Sequence, residues 1–229
     1  MYESLIDKLV NENQASERIE KKIAINSGNS NLIRRILSSL NFYPLFDDRL
    51  ISSIYFDTAD LTFLRDNING VSNRIKFRSR YYNDVITKPK LEVKLKKSFL
   101  GYKAFLDSDG SSFNIKNFIA KSASIINANY PFEPLYPTAF VSYKRMYFQN
   151  HLGIRCTVDQ DLVTHKIVGA VDLQELLRIR TIGMFDVVEF KFNKVHELVF
   201  RNDIFKHFVA LPIRATKCSK YVRTFTDTF

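Results

Sequence analysis

The sequence has no tryptophan and little cysteine, glycine or proline, with 2 Cys, 7 Gly and 6 Pro in 229 residues. So little Gly and Pro excludes collagen-like and low-complexity chains. Cys156 and Cys218 match neither a zinc site nor a disulfide framework, which predicts reduced thiols in a cytoplasmic protein. No signal peptide is recognisable, and no apolar run reaches the roughly 20 residues that span a bilayer. A transmembrane segment is therefore not expected, whereas a membrane-associated partner stays open.

What the chain does contain is enough apolar material for one large core. Hydrophobic residues make up 45% of the sequence, including 20 Phe and 11 Tyr. This length and composition predict a single domain over residues 1–229, with an N-terminal helix within 1–16 and the main body over 17–224. The net charge of +10 favours a polyanionic partner such as nucleic acid, an anionic membrane surface or phosphates.

The most informative segment is Asn73–Tyr81, which carries a cation at every second position. Side chains alternate between the two faces of a β-strand, so these cations share one face. They repel one another unless an anion lies along them. The face comprises Arg74, Lys76, Arg78 and Arg80.

The same alternation recurs on other predicted strands, whose opposite faces are apolar. One strand carries Glu20 and Lys22, a second Glu92 and Lys94, and another Glu189 and Lys191; later strands add Arg145, Arg155 and Asp159. Each strand taken alone is more typical of the solvated face of a half-buried sheet, and the recurrence on several strands is what argues against that interpretation. About eight strands of this kind predict an α+β fold: a closed antiparallel eight-stranded β-tunnel with a basic lumen and flanking helices, because closure removes the edges.

Four carboxylates accompany these cations: Glu20, Glu92, Asp159 and Glu189. Carboxylates within a cationic site are typical of Mg²⁺ or Mn²⁺, which accepts one or two carboxylates together with substrate phosphates. Charge balance with neighbouring Lys and Arg explains Glu20 and Glu92 equally well. Near the C-terminus, Lys217 and Lys220 lie three residues apart, the spacing of one helical turn.

In order along the chain, these motifs resemble the VTC-type polyphosphate polymerase domain, a CYTH-like triphosphate tunnel metalloenzyme, in its stand-alone microbial form. The matching pieces are Arg18-x-Glu20-x-Lys22, Ser53-Ile-Tyr55-Phe-Asp57-Thr58, Gly70-x-x-x-Arg74-x-Lys76-x-Arg78-x-Arg80, Glu92-x-Lys94-x-Lys96, Tyr143-x-Arg145, Arg155-x-Thr157-x-Asp159, Glu189-x-Lys191 and Lys217-x-x-Lys220-Tyr221. The resemblance implies a soluble enzyme that transfers the γ-phosphate of ATP to a growing polyphosphate chain with Mn²⁺ or Mg²⁺.

The resemblance also implies roles for individual residues. Catalysis is expected from Arg74, Lys76, Arg78, Arg145, Arg155 and Glu189. Phosphate binding is expected from Lys22, Arg80, Lys94, Lys191, Lys217 and Lys220. The expected metal ligand is Glu189, with Glu20, Glu92 and Asp159 as further candidates.

Three alternatives to the polymerase are open at this stage. Arg18 stands where triphosphatase relatives carry the first of two paired glutamates, which favours a polymerase over a triphosphatase or polyphosphate hydrolase. A non-catalytic polyphosphate- or nucleotide-binding subunit would keep the same cations. RNA binding predicts aromatic side chains on the face of the cations, but Phe77, Phe190 and Phe192 alternate with them, so no specific nucleic acid is expected.

Overall fold

The fold is described from a computed structural model of the chain. The structure describes residues 18–83, 85–98, 100–106, 115–130, 133–167, 183, 185–209, 213–214 and 219–226. The predicted N-terminal helix within 1–16, Lys217 and Cys218 lie outside these residues. The single domain over 1–229 therefore stays a prediction.

Within the described residues, nine antiparallel strands form one sheet with the order β5-β4-β3-β2-β6-β7-β8-β1-β9. Their bounds are β1 Ile19–Asn26, β2 Tyr43–Asp57, β3 Arg74–Tyr82, β4 Val85–Lys97, β5 Leu100–Leu106, β6 Tyr136–Gln149, β7 Arg155–Lys166, β8 Phe185–Phe192 and β9 Ile213–Arg214.

The helices lie between and after the strands. They are α1 Ser30–Ser39, α2 Thr62–Ile68, α3 Ile115–Asn129, α4 Glu197–Val199, α5 Lys206–Val209 and α6 Lys220–Thr226. A 3₁₀ turn, Lys194–His196, precedes α4, and a π-helical stretch, Phe200–Phe205, joins α4 to α5. Over the described part of the chain, no helix is both long and apolar enough to cross a membrane.

The predicted α+β fold, with antiparallel strands and flanking helices, is present, and a two-residue strand, β9, adds to the eight longer strands. The expectation that these strands close into a tunnel is wrong. The sheet is open: within the described residues, β5 and β9 are its two edges and are not hydrogen-bonded to each other. Closure would need one edge to pair with the other, and β9 offers only two residues, which pair with Ala24 and Ile25 of β1. The architecture is an α+β half-barrel with flanking helices.

The sheet is nevertheless strongly curled, as an ion pair between distant strands shows. Six strand steps separate β1 from β4, which corresponds to about 29 Å in a flat sheet at roughly 4.8 Å per step. Glu20 Oε2 on β1 lies 3.8 Å from Lys94 Nζ on β4. Side chains can meet in this way only if the sheet bends around its own face. We call the face that carries these two residues the charged face.

The opposite face of the sheet packs on the helices and holds most of the core. On one side, Phe77 and Val93 pack with Phe118 and Tyr130 of the α3 region. On the other side, Ile23, Val188 and Phe190 pack with Leu37 of α1 and with Phe200, Ile204 and Phe208. Cys156 is buried in this second core, as the strand alternation predicts, and burial raises the pKa of its thiol far above the usual value.

Most strands lie where the sequence pattern places them, and the clearest differences concern β5 and β7. β5 was not predicted, although Tyr102, Lys103, Ala104 and Phe105 alternate between buried and exposed positions. The sequence pattern predicts two separate strands near 153–159 and 164–168, but the structure has one continuous strand, β7. Asp161 adopts a positive φ of 54°, and the pairing with β6 shifts register there without ending.

Candidate functional site

The cations of β3 lie on the charged face, as their alternation predicts. Ile75 and Phe77 between them are buried in the core of the opposite face. Lys76 pairs across the sheet with Lys94, and Arg78 with Glu92. Only the curl of the sheet brings these strands towards β1 and β8.

One cluster on this face joins β1, β8 and β4 around two carboxylates. Lys22 Nζ lies 2.5 Å from Glu20 and 3.5 Å from Glu189, and Lys191 Nζ lies 2.6 Å from Glu189. Lys191 and Lys94 lie 4.0 Å and 3.8 Å from Glu20 Oε2. Burial raises the pKa of Glu189, but Lys22, Lys191 and Arg145 outweigh it and hold that pKa well below its usual range.

A second cluster surrounds Glu92, whose side chain is nearly buried. Arg78 donates from Nε at 2.7 Å and also from Nη2, Lys103 lies at 3.2 Å, and Arg80 at 3.7 Å. Burial raises the pKa of Glu92, but the three cations together lower it to about 2. Glu92 therefore neutralises cations of β3 and β5.

A third cluster centres on Asp159, which is fully buried. Arg145 donates to both carboxylate oxygens, from Nε at 2.5 Å and from Nη2 at 2.7 Å, and Lys220 donates to Oδ2 at 2.5 Å. Burial raises the pKa of Asp159, but Lys220 and Arg145 outweigh it and lower that pKa. Asp159 thus joins α6 to the sheet.

Lys76 differs from these paired cations. Its Nζ donates to Ser219 Oγ at 2.9 Å, and within the described residues no carboxylate lies within ion-pair distance of it. Burial, followed by repulsion from neighbouring cations, lowers the pKa of Lys76 to about 7. Those neighbours are Lys94, Lys22, Arg74 and Arg78.

Helix α6 covers part of the charged face through further contacts. The Tyr221 ring stacks on Tyr55 with centroids 5.0 Å apart, and its hydroxyl donates to Asp57 Oδ2. Asp57 also accepts bonds from the Phe63 and Leu64 amides of α2, each at 2.9 Å. Asp57, on β2, therefore fixes both helices to the sheet.

Two of the remaining predicted residues, Arg155 and Arg74, lie outside the three clusters. Arg155 is exposed and opposite Lys191, and Arg74 donates to the Val71 carbonyl at 2.8 Å. Sequence reasoning missed Lys103 and Ser219. The alternation in β5 could have indicated Lys103, whereas no pattern indicated that Ser219 would meet a residue 143 positions earlier.

A divalent metal fits this face best beside Glu189. Glu20 and Glu189 share two lysines, and Thr157 lies directly opposite Glu189 in the strand pairing. The Thr157 hydroxyl is buried without a hydrogen-bond partner among the described residues, which leaves an oxygen free for a ligand. Two carboxylates completed by substrate phosphates suit Mg²⁺ or Mn²⁺. No group of three or more His, Cys, Asp or Glu that could hold a metal alone occurs in the described chain.

Comparison with known structures shows related folds at low identity. A candidate adenylyl cyclase from Hippeastrum, described as having a dominant triphosphatase activity, superposes with a TM-score of 0.56 at 13% identity, covering 93% of this chain and 97% of that one. A candidate adenylate cyclase from Vibrio parahaemolyticus superposes with a TM-score of 0.52 at 9% identity, covering 93% and 99%. At such identities the similarity concerns the fold alone.

Comparison at the level of sequence agrees with the ordered motifs. No match is found among curated proteins. The family model of the VTC domain matches residues 17–228. This match covers nearly the whole chain, so the protein belongs to the VTC domain family.

Proposed function

We propose that the charged face binds the phosphates of ATP and of polyphosphate and transfers the γ-phosphate of ATP to the end of a polyphosphate chain. The observation that carries this proposal is Lys76, a half-buried cation whose electrostatic neighbours include four other cations. Bringing like charges together costs free energy that a bound polyanion returns. A phosphate chain along β3 would supply that anion.

The proposed roles follow from the contacts. Arg78 and Arg145 would donate to phosphate oxygens from guanidinium N–H groups other than those bound to Glu92 and Asp159, whereas Lys22, Lys94 and Lys191 act as point charges. The cationic surface continues over Arg80, Lys220, Arg74 and Arg155. Glu92 and Asp159 hold cations in place, so among the proposed metal ligands we retain Glu189 and Glu20.

In the reaction, the bond between the γ-phosphorus and the β,γ-bridging oxygen breaks and ADP leaves with the electron pair. A terminal oxygen of the polyphosphate forms the new bond to phosphorus. A bound Mn²⁺ or Mg²⁺ would neutralise charge on the phosphates. The acceptor oxygen is already anionic near neutral pH, so the chain has only to position and to neutralise.

One observation favours a second candidate, a triphosphatase. Water, unlike a phosphate oxygen, must lose a proton when it attacks, and a lysine with a pKa of about 7 can accept one near neutral pH. Lys76 would be that base only if it stays neutral beside the bound triphosphate, and in that case binding would take up no proton. The Hippeastrum protein, of similar fold, is described as having triphosphatase activity.

Product analysis separates these candidates. We expect incubation with γ-labelled ATP and Mn²⁺ to give labelled polyphosphate on a gel, together with ADP. Labelled inorganic phosphate without chain growth would establish the hydrolase instead. Tight binding of ATP and polyphosphate without either product would indicate a binding subunit. A cytoplasmic location stays part of the proposal.

The lowered pKa of Lys76 also predicts that the protein takes up a proton when it binds phosphate. Above pH 7 the free protein holds this lysine increasingly neutral, and a bound polyanion returns its pKa towards the ordinary value. Affinity for tripolyphosphate should therefore fall between pH 7 and pH 9, by up to about tenfold per pH unit. Titration calorimetry at pH 8 in buffers of different ionisation enthalpy measures the uptake.

The matched variants are Lys76→Met and Lys21→Met. Lys76→Met should abolish most of the proton uptake, whereas Lys21, exposed on the opposite face of β1, should have no effect on it. Equal proton uptake by wild type and Lys76→Met would show that another group titrates.

A further inference from the structure

Three side chains form an aromatic and cationic cluster at one end of the charged face. The rings of Phe46 and Tyr147 meet edge to face with centroids 5.7 Å apart. The Arg49 guanidinium carbon lies 5.6 Å from the Phe46 centroid and 5.8 Å from that of Tyr147. Phe46 is 54% exposed. We call this cluster the aromatic platform.

Irregular strand pairing places the platform on the charged face rather than in the core. The β2–β6 register shifts on both sides of Phe46, between Pro44 and Phe46 and again between Phe46 and Arg49. Bulges of this kind re-aim side chains and are frequent at barrel rims and beside active sites. The result sets Phe46 opposite Tyr147, which shares its face with Arg145.

The platform adjoins the phosphate-binding cations proposed above. Arg49 lies directly opposite Arg145, and Tyr147 is two residues from Arg145, about 7 Å along the strand. Tyr147 of β6 also lies opposite Thr157 of β7, and Thr157 in turn lies opposite Glu189 of β8. A ligand with phosphates on Arg145 would therefore reach the platform with whatever group the phosphates carry.

We propose that Phe46, Arg49 and Tyr147 bind the nucleobase of a nucleoside triphosphate whose phosphates lie on the charged face. Exposed aromatic rings stack on the π-face of a base, and arginine adds a stacking plane and hydrogen-bond donors. Phe46 buries little area on folding, and a stacked base would cover its exposed ring. This inference rests on the proposed function and adds to it that the phosphate donor is recognised through its base.

The test compares two probes, ATP and inorganic tripolyphosphate, which share phosphates and differ in the nucleoside. Phe46→Leu removes the ring and keeps an apolar side chain, whereas Phe46→Tyr keeps the ring. Tyr136→Leu is the control, since Tyr136 is 50% exposed at the opposite end of β6. Equilibrium affinities are measured for wild type and the three variants, with Tyr147→Leu as a second test of the platform.

We expect Phe46→Leu and Tyr147→Leu to weaken ATP binding about fivefold or more, the loss of one stacking contact. Tripolyphosphate binding should stay unchanged, which also shows that the variants are folded. Phe46→Tyr and Tyr136→Leu should bind both probes like wild type.

Three results would overturn the platform, and they are distinguishable. Unchanged ATP affinity in Phe46→Leu and Tyr147→Leu would show that the rings make no contact with the base. An equal loss for both probes would give the rings a structural role. In both cases the proposed function stands. Failure of wild type to bind either probe would reject the proposed function together with the platform.

Discussion

Replacement of Glu189 by glutamine is expected to lower Mn²⁺-dependent turnover by about 100-fold or more, because a metal ion that neutralises the phosphates stabilises the transition state by several kcal/mol. Glutamine keeps the shape of the side chain and removes its charge. Lys22 and Lys191, which contact Glu189 at 3.5 Å and 2.6 Å, then become available to phosphate. Phosphate binding without metal should therefore be equal to wild type or tighter.

Glu92→Gln is the matched control, since it removes one negative charge from the same face. Glu92 contacts three cations, and its role in our proposal is to hold them. We expect the Mn²⁺ concentration for half-maximal activity to rise in Glu189→Gln and to stay unchanged in Glu92→Gln. Retention of full Mn²⁺-dependent activity by Glu189→Gln would remove this residue from the metal site.

Replacement of Asp159 by asparagine is expected to lower the free energy of unfolding by about 3–5 kcal/mol, as when one partner of a buried ion pair is removed. Asp159 is fully buried, and its carboxylate is the acceptor for Arg145 and Lys220. The substitution leaves two cations facing each other without an anion. Denaturant unfolding, with midpoint and slope compared to wild type, measures the loss.

The control is Asp48→Asn, which breaks ion pairs of Asp48 with Arg34 and Lys144 at 3.2 Å and 3.4 Å in exposed positions. Surface pairs contribute about 1 kcal/mol or less. A loss of Mn²⁺ dependence in Asp159→Asn, with stability unchanged, would contradict the structural role and make Asp159 a metal ligand.

The pH dependence of stability gives a second measure of what Asp159 contributes to the free energy of unfolding. The pKa of Asp159 is lowered in the folded protein, so this carboxylate stabilises the fold above the unfolded pKa of about 4. Its contribution is lost as the pH falls further, through the folded pKa. The stability difference between wild type and Asp159→Asn should therefore shrink in acid.

Strand β3 shows most clearly which features the sequence predicts. The alternation of Arg74, Lys76, Arg78 and Arg80 with apolar residues correctly predicted one charged and one core face, because side-chain direction in a strand is a local property. The ordered motifs also predicted the VTC family correctly, which the family match confirms. Roles of single residues stay predictions, as no comparison tests them.

The ion-pair partners of the charged side chains could not be predicted from the sequence, because they depend on the curl of the sheet. Alternation gives a face but not a distance, so it could not show that Glu20 meets Lys94 across six strand steps. It also could not separate Asp159, fully buried between Arg145 and Lys220, from Glu189, which lies opposite a Thr157 hydroxyl that has no hydrogen-bond partner among the described residues.

The sequence by itself therefore determined most of the strands, the family and which residues of those strands share the charged face, because these follow from local periodicity and motif order. Only the tertiary structure decided that the sheet is an open half-barrel, that α6 brings Ser219 to Lys76, and that Phe46 lies beside Tyr147. Edge pairing, helix docking and bulges depend on contacts between distant segments, and periodicity along one strand carries no information about them.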